Sequence, residues 1–222
     1  MRYEKGHGAG TSARIVECAS ARIRERGIES IKVAGLMKSA GLTHGGFYLH
    51  FKSRRDLIER AFARAMDGSV EQWRKLADRS SRDELLSSIV DYYLTDRQRN
   101  DAAGGCALPS LGAEASRAGV GIKRTFSSGL REIIDLLSED VNGPSKREAI
   151  AIVSEIVGAL LLARAVNHPG FSSEIMSVAR EYVLGNQRQV LGIAKVPRKF
   201  STRTKRPNAK RPQKREKSKH LP

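Results

Sequence analysis

Apolar residues recur at helical spacing through almost the whole chain, and this pattern limits the possible folds more than any other feature of the sequence. The alternation of apolar and polar residues that marks a β-strand is nearly absent. Glycine- and proline-containing segments interrupt the helical pattern at residues 99–109, 139–144 and 167–171. The sequence therefore predicts an all-α fold. The helices of its larger part are predicted over residues 53–76, 81–96, 111–119, 120–138, 145–166 and 172–192.

Two shorter helices precede these, and each ends at a glycine. The first is predicted to begin after Thr11 or Ser12 as its N-cap and to end before Gly27. The second lies within residues 32–41, where Gly41 can adopt the positive φ that ends many helices. Two helices and a glycine turn thus lead into the stretch that follows.

That stretch, "AGLTHGGFYLHFKSRRDL" over residues 40–57, combines helical spacing with two adjacent glycines. Thr43 is a suitable N-cap, and Leu42 can pack on Phe47 as a hydrophobic staple. Phe47 and Phe51 share one face and are expected to pack onto the two preceding helices. The opposite face and its margins would carry Thr43, His44, Gly45, Tyr48 and His50.

Charge is concentrated at the two ends of the chain. The net charge is +16, and residues 1–52 carry 9 Lys and Arg against 4 Asp and Glu. Residues 53–196 carry 20 against 19, and residues 197–222 carry 11 against 1. Basic ends on a neutral middle indicate a polyanionic partner. Nucleic acid is favoured over a membrane surface because no basic amphipathic helix with an aromatic face accompanies the charge.

The segment "GIESIKVAGLMKSAGLTHGGFYLHFKSRRDLIERAF" resembles the DNA-binding segment of the tetracycline-repressor (TetR) family over roughly residues 11–60. The matching positions are Ala40, Gly41, Thr43, Gly46, Phe47, Tyr48, His50, Phe51, Lys52, Ser53 and Leu57. The sequence departs from the family at Lys32, where a Ser or Thr cap is common, and at Gly35. We expect Lys32 to contact phosphate by its charge, with Ser30 as the cap.

The resemblance implies a helix-turn-helix whose last helix enters the major groove, followed by a helical ligand-binding and dimerisation domain. We expect a flexible N-terminus over residues 1–10, a DNA-binding domain over 11–52 and an effector-binding and dimerisation domain over 53–196. A disordered basic tail is expected over residues 197–222, which contain almost no apolar residues. The tail could contact flanking phosphates or could serve only solubility.

The predicted DNA contacts lie around the glycine pair. They are Lys32, Thr43, His44, Gly45, Gly46, Tyr48, His50 and Lys52. Tyr48 and Lys52 suit phosphates, whereas His44 and Gly45 lie where a helix N-terminus reaches base edges. Two other interpretations exist: Tyr48 could be a core aromatic, and His44 with His50 could bind a metal, although six residues apart they lie on different faces without a third ligand nearby.

The helix over residues 145–166 is unusually apolar and could be a buried core helix or a self-association face. The predicted dimer contacts are Ile152, Ile156, Gly158, Ala159, Leu160 and Ala163. The TetR resemblance favours self-association, since such proteins dimerise through their last two long helices. A two-fold dimer would also supply a second half-site on DNA.

The neutral middle is expected to hold a pocket for an unknown small-molecule effector. The candidate lining is Tyr92, Tyr93, Cys106, Leu108, Phe126 and Leu130, with Trp73 a further choice. Each could instead be a core residue. Cys106 follows a glycine-rich turn and could be a sensing thiol or a small buried apolar residue.

Other functional classes lack a signature in this sequence. No catalytic nucleophile lies in a known motif, no cofactor fingerprint or metal-ligand spacing occurs, and no apolar run reaches the length of a membrane span. We therefore expect a cytoplasmic homodimer that binds double-stranded operator DNA as a repressor and is released by an effector. The alternative is a constitutive, architectural DNA-binding protein.

Overall fold

The described part of the chain, residues 5–41, 43–138 and 144–190 of this computed structural model, is helical and contains no strand. Its α-helices are α1 (Lys5–Arg26), α2 (Val33–Ser39), α3 (Arg54–Arg79), α4 (Leu85–Tyr93), α5 (Asp96–Asn100), α6 (Ala107–Arg117), α7 (Val120–Ser138), α8 (Lys146–Ala165) and α9 (Pro169–Val190). Short 3₁₀ helices lie at Ile28–Ser30, His44–Leu49 and Arg82–Glu84. The predicted all-α fold is confirmed.

Glycines end α1 and α2 as the sequence predicted. Gly27 has φ +77° and Gly41 has φ +73°, the left-handed backbone that side chains disfavour. The amide of Gly27 donates to the Ile23 carbonyl at 2.9 Å, and the amide of Gly41 donates to the Lys38 carbonyl at 3.1 Å. Both turns therefore have a stereochemical reason to carry glycine.

The predicted start of α1 is wrong, because the helix begins at Lys5 and includes Thr11 and Ser12 within it. Residues 5–10, expected to belong to a flexible N-terminus, are helical. A good capping residue does not stop a helix that can continue, since each added residue contributes one more backbone hydrogen bond.

Other boundaries differ for similarly local reasons. Helix α9 begins at Pro169, three residues earlier than predicted, because proline at the first helical position loses no hydrogen bond. Helix α6 begins at Ala107, inside a predicted break, for the same reason: Pro109 lies in its first turn. The one-turn helix α5 was not predicted. It is too short for a periodic pattern, and the Thr95 hydroxyl caps it by accepting from the Gln98 amide at 3.3 Å.

Helix α3 is the central element and packs against both α1 and α7, while α8 packs against α7 and α9. One continuous core contains Ile15 of α1, Phe62 of α3, Ile133 of α7 and Ile156 of α8, all buried. The Arg64 guanidinium also pairs with the Glu17 carboxylate at 2.8 Å, joining α3 to α1. The first helices are thus fixed to the rest of the chain through α3.

Several predictions fall outside the described residues. The basic tail at residues 197–222, most of the break at 139–144 and the Leu42 part of the staple lie there. Within the described ranges, no helix is long and apolar enough to cross a membrane. No group of three His, Cys, Asp or Glu residues in those ranges is placed to hold a metal ion.

Candidate nucleic-acid interface

Two phenylalanines fix the 3₁₀ helix His44–Leu49 to the helices before it. Phe47 and Phe51 are buried, and their ring centroids lie 5.3 Å apart. The 3₁₀ helix packs against α2, whose Leu36 and Met37 are also buried. The predicted inward face is confirmed, so the opposite side of this segment is held in a defined orientation toward solvent.

Tyr48 and Leu49 lie on the outward side of the 3₁₀ helix. In a 3₁₀ helix residues three apart lie directly above one another, so Tyr48 lies above Gly45 and Leu49 above Gly46. These two pairs of residues flank the buried side that Phe47 occupies. Tyr48 is 68% exposed and Leu49 is 85% exposed. Leu49 was not among the residues predicted to face outward, although a period of 3.6 residues also places it opposite Phe47.

Neither glycine of this segment is required by its own fold. Among the described residues, only Gly27 and Gly41 have positive φ, so Gly45 and Gly46 adopt backbone angles open to any residue. A Cβ on Gly45 would meet no atom within 4 Å. A Cβ on Gly46 would make ordinary contacts, 3.6 Å to the Thr43 hydroxyl and 3.8 Å to Met37. The bare backbone therefore leaves room for something outside the chain.

Thr43 occupies the N-cap position with extended backbone, as predicted, but its side chain makes no capping hydrogen bond. The Thr43 carbonyl instead accepts from the Gly46 amide at 3.1 Å, which is the bond that a 3₁₀ turn makes. The side chain of His44 lies outside the described residues. Of the predicted contacts in this segment, the described surface thus consists of Thr43, Gly45 and Tyr48.

Lys52 lies at the exit of the segment, where a network of backbone bonds holds it. The Ser53 hydroxyl caps α3 by accepting from the Asp56 amide at 3.1 Å. The Asp56 carboxylate accepts from the Lys52 amide at 2.9 Å. Partial burial opposes ionisation of Asp56, but the hydrogen bonds from Lys52 and Arg60 and their charges together keep its pKa below the ordinary value. The Lys52 side chain is exposed.

The remaining predicted contacts lie beside this surface. Lys32 is exposed and is the N-cap residue of α2, without a side-chain capping bond. The expected cap, Ser30, is wrong: its hydroxyl donates backwards to the Gly27 carbonyl at 2.6 Å, which also accepts from the Ser30 amide at 3.2 Å. His50 is half-buried, with its ring centroid 6.3 Å from that of Phe51.

Arg54, at the start of α3, holds the turn between α1 and α2. Its guanidinium donates to the Ile31 carbonyl at 2.8 Å, to the Ile28 carbonyl at 3.2 Å and to the Glu29 carboxylate at 3.1 Å. These bonds fix the angle between α3 and the helix pair that carries the exposed surface. No local pattern could indicate this role, since the partners lie more than twenty residues away.

We expect Arg54→Ala to lower the free energy of unfolding by about 1–2 kcal/mol, because the Ile31 carbonyl loses a charged donor and the Ile28 carbonyl retains one bond, from the Ile31 amide. The neighbouring variant Arg55→Ala is the control. Within the described part of the chain, Arg55 pairs only with Glu59 in the next turn, and it is mostly exposed, so its loss should cost about 0.3–0.5 kcal/mol. Denaturant unfolding of both variants measures the difference. Equal losses would contradict the role given to Arg54.

A second site is a cavity of about 270 Å³ where α1, α3, α4 and the segment before α6 meet. Its lining includes three of the predicted effector residues, Tyr92, Tyr93 and Cys106. The other three do not line it: Leu108 is buried in the core, and Phe126 and Leu130 pack against the core, half-buried. Trp73 is also buried and lies outside the lining.

The sequence did not reveal the other wall of this cavity. Glu17 and Arg24 of α1 and Arg64 of α3 contribute to it. Arg24 also donates to the Ala103 carbonyl at 2.6 Å, across 79 positions of sequence. No periodic pattern could have identified these residues, because only tertiary packing brings α1 to the segment before α6.

The Cys106 thiol lines the cavity but is buried. Burial raises its pKa, and this outweighs hydrogen bonds with Leu108, Ser69 and Tyr93 and the charge of Arg164. A thiol with a raised pKa is mostly protonated at neutral pH and reacts slowly. This environment favours the interpretation of Cys106 as a small buried residue over a sensing thiol.

The two cysteines should therefore react differently with a thiol reagent. Cys18 is exposed on α1, so we expect one rapid equivalent per native chain from it. Cys106 should react only after denaturation. The variants Cys18→Ser and Cys106→Ser would show which of the two thiols gives each equivalent. Two rapid equivalents in the native protein would restore the sensing hypothesis.

The stripe predicted as a dimer face lies mostly inside the chain. Ile156, Ala159, Leu160 and Ala163 are buried in the chain's own core, and Ile152 is half-buried against it. These residues are therefore not surface residues of α8. Gly158 alone belongs to the outer face, where a Cβ would meet no atom within 4 Å.

A different apolar face is exposed along α8 and α9. On α9, Phe171, Val178 and Tyr182 recur at helical spacing and are each at least half exposed. Leu161 and Leu162 of α8 are exposed as well. The opposite side of α9 is already packed through Met176, Ala179 and Val183. Helix α9 is thus apolar on two sides, whereas a helix at a solvated surface normally has a polar outer face.

Comparison with known proteins agrees with the position of the first site. Residues 4–61 match the family model described as "Bacterial regulatory proteins, tetR family". An HTH-type transcriptional regulator of Staphylococcus aureus is 30% identical over 94 residues, which are 42% of this chain and 51% of that protein. The chain spans about half the length of the curated relatives it matches.

Solved structures extend the likeness in fold over 78–80% of the chain. The reduced form of NemR from E. coli is 21% identical, with a TM-score of 0.64, covering 78% of this chain and 95% of that one. A TetR transcriptional regulator from Chloroflexus aurantiacus is 20% identical, with a TM-score of 0.67, covering 80% and 96%. At these identities the likeness concerns the fold, which includes both the first helices and the larger helical part.

Proposed function

We propose that this chain, a TetR-like transcriptional regulator with a DNA-binding role, acts as a homodimeric repressor that a small-molecule effector releases from a two-fold symmetric operator. The observation that carries the proposal is the outward side of the 3₁₀ helix His44–Leu49. It combines exposed side chains with two glycines that its own fold does not require. This segment lies within the residues that match the family model.

The DNA-binding part of the proposal assigns different roles to neighbouring groups. Tyr48 and Lys52 end in a hydroxyl and an ammonium group, which suit phosphate oxygens. The bare backbone at Gly45 and Gly46 would allow the start of the 3₁₀ helix to approach base edges in the major groove. Lys32 and Lys38 are exposed on α2 and add positive charge on the same part of the chain.

The dimer proposal rests on the exposed apolar face of α8 and α9. A second copy of the chain is the occupant that fits, since the same face on both partners would cover Leu162, Phe171, Val178 and Tyr182 in an isologous contact. Gly158 leaves open space on this face and would let two helices approach closely. A two-fold dimer would present two recognition segments to two half-sites of the operator.

The cavity beside Tyr93 is the proposed effector site. Its lining includes Glu17 and Arg24 of α1, so an occupant would contact the helix that supports the DNA-binding segment. Arg164 of α8 donates to the Ser110 hydroxyl at 2.9 Å and to the Gln98 carbonyl. Helices α5 and α6 are therefore joined to α8, and the segment between them is joined to α1 by the bond from Arg24 to the Ala103 carbonyl. A coupling of about 1–3 kcal/mol, or roughly 5- to 150-fold in affinity, would suffice for a switch.

The alternative is a constitutive DNA-binding protein whose helical part only dimerises. The two differ in whether a small molecule releases operator DNA. A reporter gene placed behind the operator, screened against a library of small metabolites, separates them. The proposal predicts compounds that derepress the wild type and lose their effect on Tyr92→Ala, while this variant still represses. If the compounds derepressed Tyr92→Ala as strongly as the wild type, the cavity would not be the effector site.

Selection of duplexes from random DNA, followed by footprinting, tests the central part of the proposal. We expect a palindromic site whose half-sites lie about one helical turn, or a multiple of it, apart. The complex should contain two chains of 24.4 kDa per site. If the selection enriched no sequence over random DNA, the proposed function would be contradicted.

The basic tail supplies a separate prediction. Deleting residues 197–222 removes 11 Lys and Arg, and engagement of about a third of them would contribute roughly three units to the slope of log K against log salt. We expect the truncated protein to bind operator and random DNA more weakly by similar factors, with a flatter salt dependence. An unchanged slope would show that the tail does not contact DNA, and a loss confined to the operator would show that it reads sequence.

A further inference from the structure

We propose that Leu49 is a specificity residue that reads the 5-methyl group of a thymine in the major groove. The inference rests on the proposed DNA-binding function but adds a residue and a base feature to it. Leu49 is the most exposed large apolar side chain among the described residues, with 85% of its surface accessible. It is also in the segment that the proposed function places against DNA.

The position of Leu49 follows from the 3₁₀ geometry. Residues three apart overlie one another, so the position below Leu49 is Gly46, which has no side chain. Tyr48 stands beside it above Gly45. The Phe47 ring, at 5.2 Å from the Tyr48 ring and nearly perpendicular to it, anchors the segment from inside. Leu49 therefore projects over bare backbone and can approach a groove floor without an obstructing neighbour.

The chemistry of leucine limits what it can recognise there. The major-groove edges of the bases carry hydrogen-bond donors and acceptors, and the thymine methyl is the apolar group among them. An aliphatic side chain placed against a donor or acceptor would remove water without replacing its hydrogen bond. Against a methyl group it buries apolar surface from both partners. A thymine at one fixed position of each half-site is thus the partner that fits Leu49.

Replacing single thymines of the selected operator by 2′-deoxyuridine tests this, because uracil differs from thymine by the methyl group alone. For the wild type we expect one position per half-site where the change weakens binding about fourfold, and about fifteenfold when both half-sites are changed, as burial of one methyl-sized group implies. Leu49→Ala should bind the thymine duplex as the wild type binds the uracil duplex, and should show no further loss with uracil. Leu49→Met, which keeps a long apolar side chain at this position, should retain the sensitivity to uracil.

Val120→Ala is the matched control, since Val120 is also apolar and 72% exposed but lies at the start of α7. It should keep the full uracil sensitivity. Sensitivity that persists unchanged in Leu49→Ala, or is absent from the wild type at every position, would overturn the inference while leaving operator binding intact. If Leu49→Ala weakened the binding of operator and of random DNA by equal factors, Leu49 would contribute affinity without reading sequence. That result would also overturn the inference. If the wild type selects no sequence at all, the proposed function and this inference both fail.

Discussion

Replacing Val178 with glutamate should convert the dimer to monomer and abolish operator binding at concentrations where the wild type is saturated. Val178 is 51% exposed in the chain and lies in the apolar groove between α8 and α9, beside Leu162, Phe171 and Ile175. In an isologous contact the substitution would bury two carboxylates, each at a cost of several kcal/mol. We expect dimerisation to weaken roughly 1000-fold or more, since each 1.4 kcal/mol is tenfold.

Val120→Glu is the control for this change, because it places the same charge on another exposed valine, at the start of α7. It should remain dimeric and bind operator normally. Sedimentation or light scattering measures the oligomeric state, and circular dichroism with thermal unfolding checks that both variants fold. A folded Val178→Glu protein that is still dimeric would show that the α8–α9 face is not the interface.

Several helix ends and buried positions near the first site could be predicted because their determinants are local. Gly27 and Gly41 end α1 and α2 with positive φ, as expected for residues without a Cβ. Phe47 and Phe51 are buried as their spacing indicated. The Ser53 cap of α3 also forms. Each of these features depends on residues within about four positions of one another.

The outward side of the 3₁₀ helix His44–Leu49 was only partly predicted. Tyr48 was correctly predicted to face outward, whereas Leu49 was left unassigned, although a period of 3.6 residues also turns it away from Phe47. The 3₁₀ winding of the segment, which packs against α2, was not predicted either, because a run of six residues is too short for its period to be read from the sequence.

The face of α8 could not be assigned from sequence for a different reason. This helix is apolar nearly all round, with Ile150 and Leu162 exposed and Ile156 and Leu160 buried. Periodicity identifies a buried face only when the other face is polar.

The lining of the cavity beside Tyr93 was predicted only in part. Tyr92, Tyr93 and Cys106 come from one region of the sequence, whereas Glu17 and Arg24 reach the cavity only through tertiary packing.

The second large effect is expected from adding a side chain at Gly45 of the 3₁₀ helix His44–Leu49. Gly45→Leu should leave the thermal unfolding midpoint unchanged or raise it, because no atom lies within 4 Å of the new Cβ and leucine favours helical backbone over glycine. The added side chain would nevertheless occupy the space assigned to DNA. Overpacking costs about 1–3 kcal/mol at each of two half-sites, so operator affinity should fall roughly 30-fold or more.

Ala113→Leu adds similar bulk to an exposed position of α6 and should change neither stability nor DNA binding. The most direct test of a DNA-binding surface on the 3₁₀ helix His44–Leu49 is therefore the operator affinity of Gly45→Leu, measured by fluorescence anisotropy on protein with verified folding and dimeric state. The surface proposed here predicts a folded dimer with at least roughly 30-fold weaker operator binding. A folded dimeric Gly45→Leu protein that binds operator as tightly as the wild type and the Ala113→Leu control would contradict it.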